Sequence, residues 1–352
     1  MDTLTHALSG ALLARATEPR DAPPRSLPRR IAAGFFACTF PDLDFVVSFI
    51  GPVEYLMNHR GATHSILLLP LWAVAVAWVL ARILREPGGW RALYLVSALG
   101  IAAHIAGDLI TSYGTMILAP FSNARFAWGT TFIIDLWFTG IIVAGLAASA
   151  LRYRSRAPSI AACAILVAYV LLQAWAKSEA LEFASRHAAS LGRADAEITA
   201  YPRAVSPFNW TVYVSDEDVH RFAHVNVMRT QPRTLASGDG FVAQLDAPFL
   251  PLAEARWETR TRLGATREES ALARSAWESG VLDFFRWFAA KPAYDSRTEG
   301  STCVWFVDLR FVNPGRDWVP FRYGACRESP AAPWVPYERT DTGAARRLRG
   351  AS

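Results

Sequence analysis

The sequence predicts an α-helical integral membrane bundle, of about five transmembrane helices plus a short N-terminal helix, followed by an α+β soluble domain. The 352 residues are 52% hydrophobic and only 19% charged, against roughly 25% charged residues in soluble proteins. The shortage of charge is local, because six acidic residues lie between Ile31 and Ala176 whereas charges are dense after Lys177. These observations exclude a uniformly soluble globule, a disordered chain and a coiled coil.

The same change in composition predicts the domain boundaries. Residues 1–176 are expected to form the membrane domain, residues 177–330 a soluble domain, and residues 331–352 a flexible tail that begins in a Pro-rich stretch and ends rich in Arg. The first predicted helix covers Leu4–Ala14 and lacks the basic start and the cleavage site of a signal peptide. Longer apolar stretches approach the length of about 20 residues that crosses a bilayer; they are Ile31–Ile50, Ile66–Leu84, Ala92–Ser112, Ile133–Ala150 and Ile160–Ala176.

Arginine clusters predict the orientation of these segments. The clusters alternate with loops poor in basic residues, and basic loops face the cytoplasm. They are Arg15, Arg20, Arg25, Arg29 and Arg30; then Arg82, Arg85 and Arg91; then Arg152, Arg154 and Arg156. We therefore expect a bacterial-type inner-membrane protein whose domain after Ala176 is extracytoplasmic.

The net charge of +5 raises the question of nucleic-acid binding. The arginines flank apolar segments and form no basic stripe with interleaved aromatic residues, so no nucleic-acid partner is expected. The expected partners are membrane lipids and a small or lipid-borne substrate.

Histidine and aspartate residues gather near the predicted outer face of the membrane domain. A charged side chain in a membrane segment is costly unless paired and so indicates function. The set comprises His6, Asp42, Asp44, His59, His64, His104 and Asp108. Imidazole and carboxylate ligands suit zinc, manganese or iron better than calcium, so we expect a divalent transition metal, with zinc preferred, as one or two ions.

Spacing supports this metal site, and each part of the pattern has an alternative explanation. His104 and Asp108 are four residues apart and share one helix face, which also suits a helix–helix hydrogen bond or a proton relay. His59 and His64 lie across a turn that Gly61 allows. Asp135 opens a predicted helix, where capping and metal binding are both open.

An ordered set of motifs within residues 1–150 resembles the YdjM-type family of inner-membrane, metal-dependent hydrolases. The motifs are Leu4-Thr5-His6, Pro41-Asp42-Leu43-Asp44, the box from His59 to Ser65 and His104-x-x-x-Asp108. The ligand order is also similar to that of the zinc-dependent phospholipase C and single-strand nuclease superfamily. It departs from that pattern because no further histidine follows Asp108 until His187.

The resemblance implies a hydrolase with metal ligands at His6, Asp44, His64, His104 and Asp108. His59 is a further candidate ligand. Asp42 is expected to act as the general base, or as a ligand or a partner that orients one, and Arg60 to hold a substrate oxygen or to anchor the interface. The expected reaction is hydrolysis of an ester or phosphoester at the outer face, on a lipid-type substrate. The alternative is a transporter that conducts protons or a metal through the same cluster.

The soluble half is predicted to mix strands and helices. Strands are expected at 210–214, 222–228, 240–245 and 302–311, and one amphipathic helix at 268–290. His220 and His224 lie near three acidic residues, where a solvated loop is favoured over a second metal site. Cys303 and Cys326 could pair if this domain is extracytoplasmic, which the sequence leaves open.

Overall fold

The computed structural model describes residues 1–20, 26–298, 302–316 and 318–348. Arg25 of the first arginine cluster and residues 349–352 of the predicted tail lie outside these ranges. The chain divides into two compact units, the first made of Met1–Val46 and Asn58–Trp175, the second of Val47–Met57 and the chain from Ala176 onward. Each unit is described by itself.

The N-terminal region is helical. Its helices are α1 Thr3–Ala16, α2 Leu27–Thr39, α3 Pro52–Asn58, α4 Leu69–Ile83, α5 Gly89–Leu109, α6 Leu136–Leu151 and α7 Ala157–Ser190. A 3₁₀ helix, Phe40–Phe49, continues α2 directly, because Pro41 cannot donate the α-helical hydrogen bond. Asp2 caps α1 by accepting a hydrogen bond from the Thr5 backbone N–H.

Three described helical segments are long and apolar enough to cross a membrane. They are Leu27–Phe49, Gly89–Leu109 and Ala157–Ser190. A fourth crossing is possible only if Pro52–His64 and Leu69–Ile83, which are bent by 84°, count as one broken span, and Leu136–Leu151 is shorter. The structure thus supports about three spans, with the predicted count of five not confirmed.

Glycines let the helices of the first unit approach closely. A Cβ on Gly10 of α1 would overlap the carbonyl oxygen of Gly34 on α2, and a Cβ on Gly34 would overlap the carbonyl oxygen of Gly10. On α5, a Cβ on Gly100 would lie 3.1 Å from the Cys38 backbone nitrogen. Small residues at such crossings are the usual means of packing helices in a membrane, where no hydrophobic effect drives them together.

The second unit contains two five-stranded sheets. The first is ordered β1 Glu197–Pro202, β2 Asn209–Ser215, β3 Val219–Asn226 and β4 Leu250–Pro251, with β5 Trp257–Thr261 also paired to β3. The second is ordered β10 Ala345–Arg347, β9 Val335–Arg339, β8 Tyr323–Arg327, β7 Thr302–Asp308 and β6 Pro292–Thr298. All pairings are antiparallel except that of β3 with β4.

A stripe of alanines joins the end of α7 to the first sheet. Ala176, Ala180, Ala184 and Ala188 are buried and pack in one cluster with Trp210 and its neighbours on β2 and β3. Residues four apart share a helix face, and alanine lets that face lie close against the strands.

Several predictions for this half need correction. Residues 241–246 form helix α8 Phe241–Asp246 rather than a strand. The predicted helix 268–290 is two helices, α9 Arg267–Trp277 and α10 Asp283–Phe288, because Gly280 between them adopts a φ of +84°. The predicted flexible tail contains β9, which pairs with β8, and β10, which pairs with β9.

His220 and His224 lie on β3 rather than in the solvated loop that the sequence favoured. Both residues therefore lie within the first sheet, where His220 pairs with Ser215 and His224 pairs with Thr211 of β2. Cys303 and Cys326, which face each other on β7 and β8, form a disulfide.

The second unit is expected to lose stability in acid through His224. Burial, with a further effect from the Arg203 guanidinium, lowers the pKa of His224 from 6.5 to about 3. Between these two values the unfolded chain binds a proton that the folded chain does not, so stability falls as the pH falls, by at most about 1.4 kcal/mol per pH unit from this group.

Melting temperatures of the full chain in detergent at pH 7.5 and pH 5 test this effect. His224→Gln retains a partner for the Thr211 hydroxyl, which lies 2.9 Å from His224 Nδ1, and should show a smaller difference between the two pH values. An equal difference in both proteins would contradict the prediction.

Candidate metal centre

Four side chains from three segments of the first unit converge on one point. Asp42 comes from the 3₁₀ helix, His64 from a short 3₁₀ turn at Ala62–His64, and His104 and Asp108 from successive turns of α5. Each offers a ligand atom, and all four atoms lie within 4.8 Å of one another. The histidines and Asp108 are fully buried, whereas the Asp42 side chain is 16% exposed.

The spacing of these atoms matches the coordination shell of a small transition metal. His64 Nε2 lies 3.0 Å from His104 Nε2 and 3.2 Å from Asp108 Oδ2. His104 Nε2 lies 3.5 Å from both Asp108 Oδ2 and Asp42 Oδ1. Tetrahedral zinc with bonds of about 2.0 Å separates its ligands by about 3.3 Å, which these four distances approach, and the other two pairs lie within 4.8 Å.

Hydrogen bonds turn the imidazole lone pairs toward this point. His104 Nδ1 lies 2.6 Å from the Cys38 carbonyl oxygen, to which it must donate, so the lone pair of a neutral ring is on Nε2. His64 Nδ1 faces Asp44 Oδ2 at 3.5 Å, which favours the same tautomer. Two unprotonated nitrogens at 3.0 Å repel each other unless a proton or a metal ion lies between them.

The two oxygens of Asp108 have different surroundings. Oδ1 accepts hydrogen bonds from Arg60 Nη2 at 2.9 Å and His6 Nε2 at 3.0 Å, and the Met1 amino nitrogen lies 2.5 Å away. Oδ2 is buried and accepts no hydrogen bond from the residues that the structure describes, its neighbours being the Nε2 atoms of His64 and His104. An orphaned buried carboxylate oxygen is costly, and a cation held with the two histidines would satisfy it.

His6 lies beside this group rather than within it. Its ring stacks on that of His104, with 3.7 Å between the ring centroids, and Gly107 makes room for it, since a Cβ there would lie 3.0 Å from His6 Cε1. His6 also forms an alternative group with Cys38 and His104. The structure therefore brings His6 to the site, where its Nε2 contacts Asp108 Oδ1 at 3.0 Å.

Asp44 and His59, which the sequence predicted as ligands, pair with each other. His59 Nδ1 lies 2.8 Å from Asp44 Oδ1, and the Arg60 backbone N–H donates to Asp44 Oδ2 at 2.8 Å. Asp42, predicted as the base, a ligand or an orienting partner, offers an oxygen to the candidate ligand group. Asp44 contacts this group through His64, whose Nδ1 lies 3.5 Å from Asp44 Oδ2.

Arg60 is buried and not an interfacial anchor. Besides Asp108, it donates from Nη1 to Thr111 Oγ1 at 3.0 Å, and its guanidinium lies over the Tyr113 ring at 4.8 Å. Its Nε is buried without an acceptor among the described residues. In the turn between His59 and His64, the residue with a positive φ is Arg60, at +60°. Glycine is required at position 61 for space, because a Cβ there would lie 2.7 Å from the Asn58 carbonyl oxygen.

Three residues at the site were missed by the sequence reasoning. Thr3 donates from Oγ1 to Asp42 Oδ2 at 2.6 Å, Thr63 Oγ1 lies 3.0 Å from His64 Nδ1, and Tyr113 packs against Arg60. Thr63 lies inside the motif from His59 to Ser65 and could have been found there. Asp135 caps α6 by accepting from the N–H groups of Trp137 and Phe138, which settles its role as a cap.

A profile of the YdjM inner membrane protein family matches residues 1–180, which contain the whole ligand group. The chain belongs to the YdjM inner membrane protein family. This YdjM-family chain is also 30% identical over 179 residues to an uncharacterized protein, YfhP, of Bacillus subtilis. The match covers 49% of this chain and 54% of YfhP, so it spans about half the length of that relative. No solved structure matches.

Proposed function

We propose that this YdjM-family chain is a membrane-bound, metal-dependent hydrolase that acts at the outer face of the inner membrane on an ester or phosphoester of a lipid-type substrate. The observation that carries the proposal is the convergence of two bare imidazole nitrogens, an orphaned Asp108 oxygen and Asp42 at the spacing of one metal ion. Asp42, His64, His104 and Asp108 would hold the metal. When bound, zinc or a similar ion acts as a Lewis acid on water and on the substrate oxygen.

The other residues supply positioning and proton transfer. Arg60 has one buried donor, Nε, that the described residues do not use, and a planar guanidinium suits a phosphate oxygen. In a neutral His59 ring whose Nδ1 donates to Asp44 Oδ1, Nε2 is the unprotonated nitrogen and would be the atom that takes a proton from water. We therefore assign the base to the Asp44–His59 pair and not to Asp42.

A lipid-type substrate is favoured by where the ligands lie along the chain. Asp42 belongs to the candidate span Leu27–Phe49, and His104 and Asp108 belong to Gly89–Leu109. An ester or phosphate group near the headgroup level of a bilayer can reach side chains at such positions, and Asp42, the most exposed ligand, is where it would enter.

Metal content and hydrolysis are measured together to test the proposal. Protein purified in detergent should bind about one transition metal ion per chain and hydrolyse a phospholipid or a chromogenic phosphoester. His59→Gln should retain the metal but lose activity by about 100-fold or more, as expected for a general base. A protein that takes up no transition metal, or that binds metal without hydrolysing any ester in a lipid screen, would contradict the proposal.

A second candidate function rests on the pair of His64 and His104. Their Nε2 atoms, 3.0 Å apart, can share a proton, which is what a proton-conducting transporter requires. Proton flux into liposomes containing the protein, abolished by His64→Gln and unaffected by chelators, would favour transport over hydrolysis.

We further propose that the second unit is extracytoplasmic. The alternation of arginine clusters supports this orientation, and the Cys303–Cys326 disulfide is typical of oxidising compartments. Protease added to intact spheroplasts should then remove the second unit. Digestion only after the cells are lysed would place it in the cytoplasm.

A further inference from the structure

A second polar cluster lies in the second unit and is built around Lys291, at the start of β6. The Lys291 side chain is completely buried, and its Nζ lies 2.8 Å from Glu197 Oε2 and 3.2 Å from Ser215 Oγ. A lysine is almost never fully buried unless paired. Its ion pair with Glu197 accounts for one of its three N–H donors, and the bond to Ser215 joins it to a nucleophile.

His220 lies on the other side of the same serine. Ser215 ends β2 and faces His220 across the β2–β3 pairing. His220 Nε2 lies 3.0 Å from the Pro292 carbonyl oxygen and Nδ1 lies 3.0 Å from Ser215 Oγ. Because a carbonyl oxygen only accepts, Nε2 carries the proton of the neutral ring, and Nδ1 must accept the hydroxyl proton of Ser215.

The hydrogen bonds therefore run in one direction, from Lys291 to Ser215 to His220 to the Pro292 carbonyl. The serine oxygen receives a hydrogen bond from a cation while its proton points at a base. Burial lowers the pKa of His220 from its usual value, which keeps the ring neutral and able to accept a proton near pH 7. A nucleophile, a base within hydrogen-bond reach and a group that orients the base form the general pattern of nucleophilic catalysis.

Ser215 and His220 line a cavity of about 600 Å³, which is within the range of small-molecule sites. The cavity wall carries both signs of charge, with Arg193 and Arg262 opposed by Glu197 and Asp216. This lining fits a polar substrate rather than an apolar chain.

We propose that Ser215 is the nucleophile of a second catalytic site, which hydrolyses a polar carboxylic ester independently of the metal centre. Ser215 Oγ bonds to the ester carbonyl carbon while its proton passes to His220 Nδ1. The bond from carbon to the alcohol oxygen breaks, and the departing alcohol takes the proton from His220. Water then attacks the acyl-serine with His220 again accepting a proton, which releases the acid and restores Ser215. Lys291 acts as a positioning residue that holds the serine oxygen.

A fluorophosphonate probe tests the proposal in the full chain purified in detergent. Attack by an activated serine forms a bond from oxygen to phosphorus and expels fluoride, so the adduct can be mapped by mass spectrometry. We expect the adduct on Ser215 in the unmodified protein. Ser215→Ala should not be labelled. The matched control Ser206→Ala should label normally, because among the described residues the Ser206 hydroxyl accepts a hydrogen bond from the Phe208 backbone N–H and contacts no part of the Lys291–Ser215–His220 cluster.

Further variants separate catalysis from structure. His220→Gln should slow labelling by about 100-fold or more, as removal of a general base does, and Lys291→Met should slow it while Lys291→Arg recovers part of the rate. His104→Ala should lose metal yet label at the normal rate, so failure of the metal hydrolase and failure of this site are distinguishable. No adduct on Ser215 of the unmodified protein, under conditions that fully label a known serine hydrolase, would overturn the proposal whatever the variants do.

Discussion

Asp108→Asn is expected to abolish metal binding and to destabilise the first unit. Asparagine has the shape of aspartate but no anionic oxygen for a metal ion. The change also removes the negative charge that pairs with Arg60. Arg60 is only 3% exposed, and its Nη2 lies 2.9 Å from Asp108 Oδ1. Breaking a buried ion pair on one side commonly costs about 3–5 kcal/mol, because the other charge stays buried without compensation.

The measurement is metal per chain by elemental mass spectrometry, together with the melting temperature in detergent. Asp135→Asn is the matched control, because Asp135 is a buried carboxylate of the same unit that caps α6 and accepts hydrogen bonds from Tyr169 and Gln173. It should lower stability and leave the metal in place. Full metal occupancy in Asp108→Asn, or equal loss in Asp135→Asn, would show that the ligand group has been assigned wrongly.

Gly10→Val is expected to prevent the first unit from folding. A Cβ at Gly10 would overlap the Gly34 carbonyl oxygen and lie 2.5 Å from Cys38 Cβ. The first of these atoms is backbone and cannot rotate away, so α1 and α2 must separate. Overpacking of this kind costs typically about 1–3 kcal/mol and occasionally more. It would also move the Cys38 carbonyl, which fixes the His104 ring, so metal binding should fall as well.

Gly140→Ala provides the control for this substitution. Gly140 lies within α6, and beyond the helix's own backbone and the two chain neighbours no atom of the described residues lies within 4 Å of a Cβ built there. Alanine favours a helix over glycine by about 1 kcal/mol, so this variant should be as stable as the unmodified protein or more so. Yield of monodisperse protein and melting temperature compare the two. Equal behaviour of both variants would contradict the close approach of α1 and α2.

The sequence singled out the four residues of the candidate metal group because histidine and aspartate are rare in apolar segments. It could not assign their roles. Asp42 and Asp44 are two apart in a 3₁₀ helix of three residues per turn, so they point in directions about 120° apart. One reaches His104 and the other His59, and only the course of the backbone decides which.

The second cluster shows the same limit more strongly. Ser215, His220 and Lys291 come from β2, β3 and the start of β6, and 76 positions separate the serine from the lysine. No spacing rule joins them, because the contact depends on how two sheets pack within the second unit.

The sequence by itself determined that the chain has an apolar helical half that carries a set of histidine and aspartate residues and a polar half with strands. Those properties follow from composition and from helix periodicity, which act locally. The tertiary structure alone decided that Asp42 and not Asp44 lies in the candidate ligand group, that one Asp108 oxygen has no donor among the described residues, and that Lys291 meets Ser215. These depend on distances between segments remote in sequence, which side-chain packing and backbone hydrogen bonds set together.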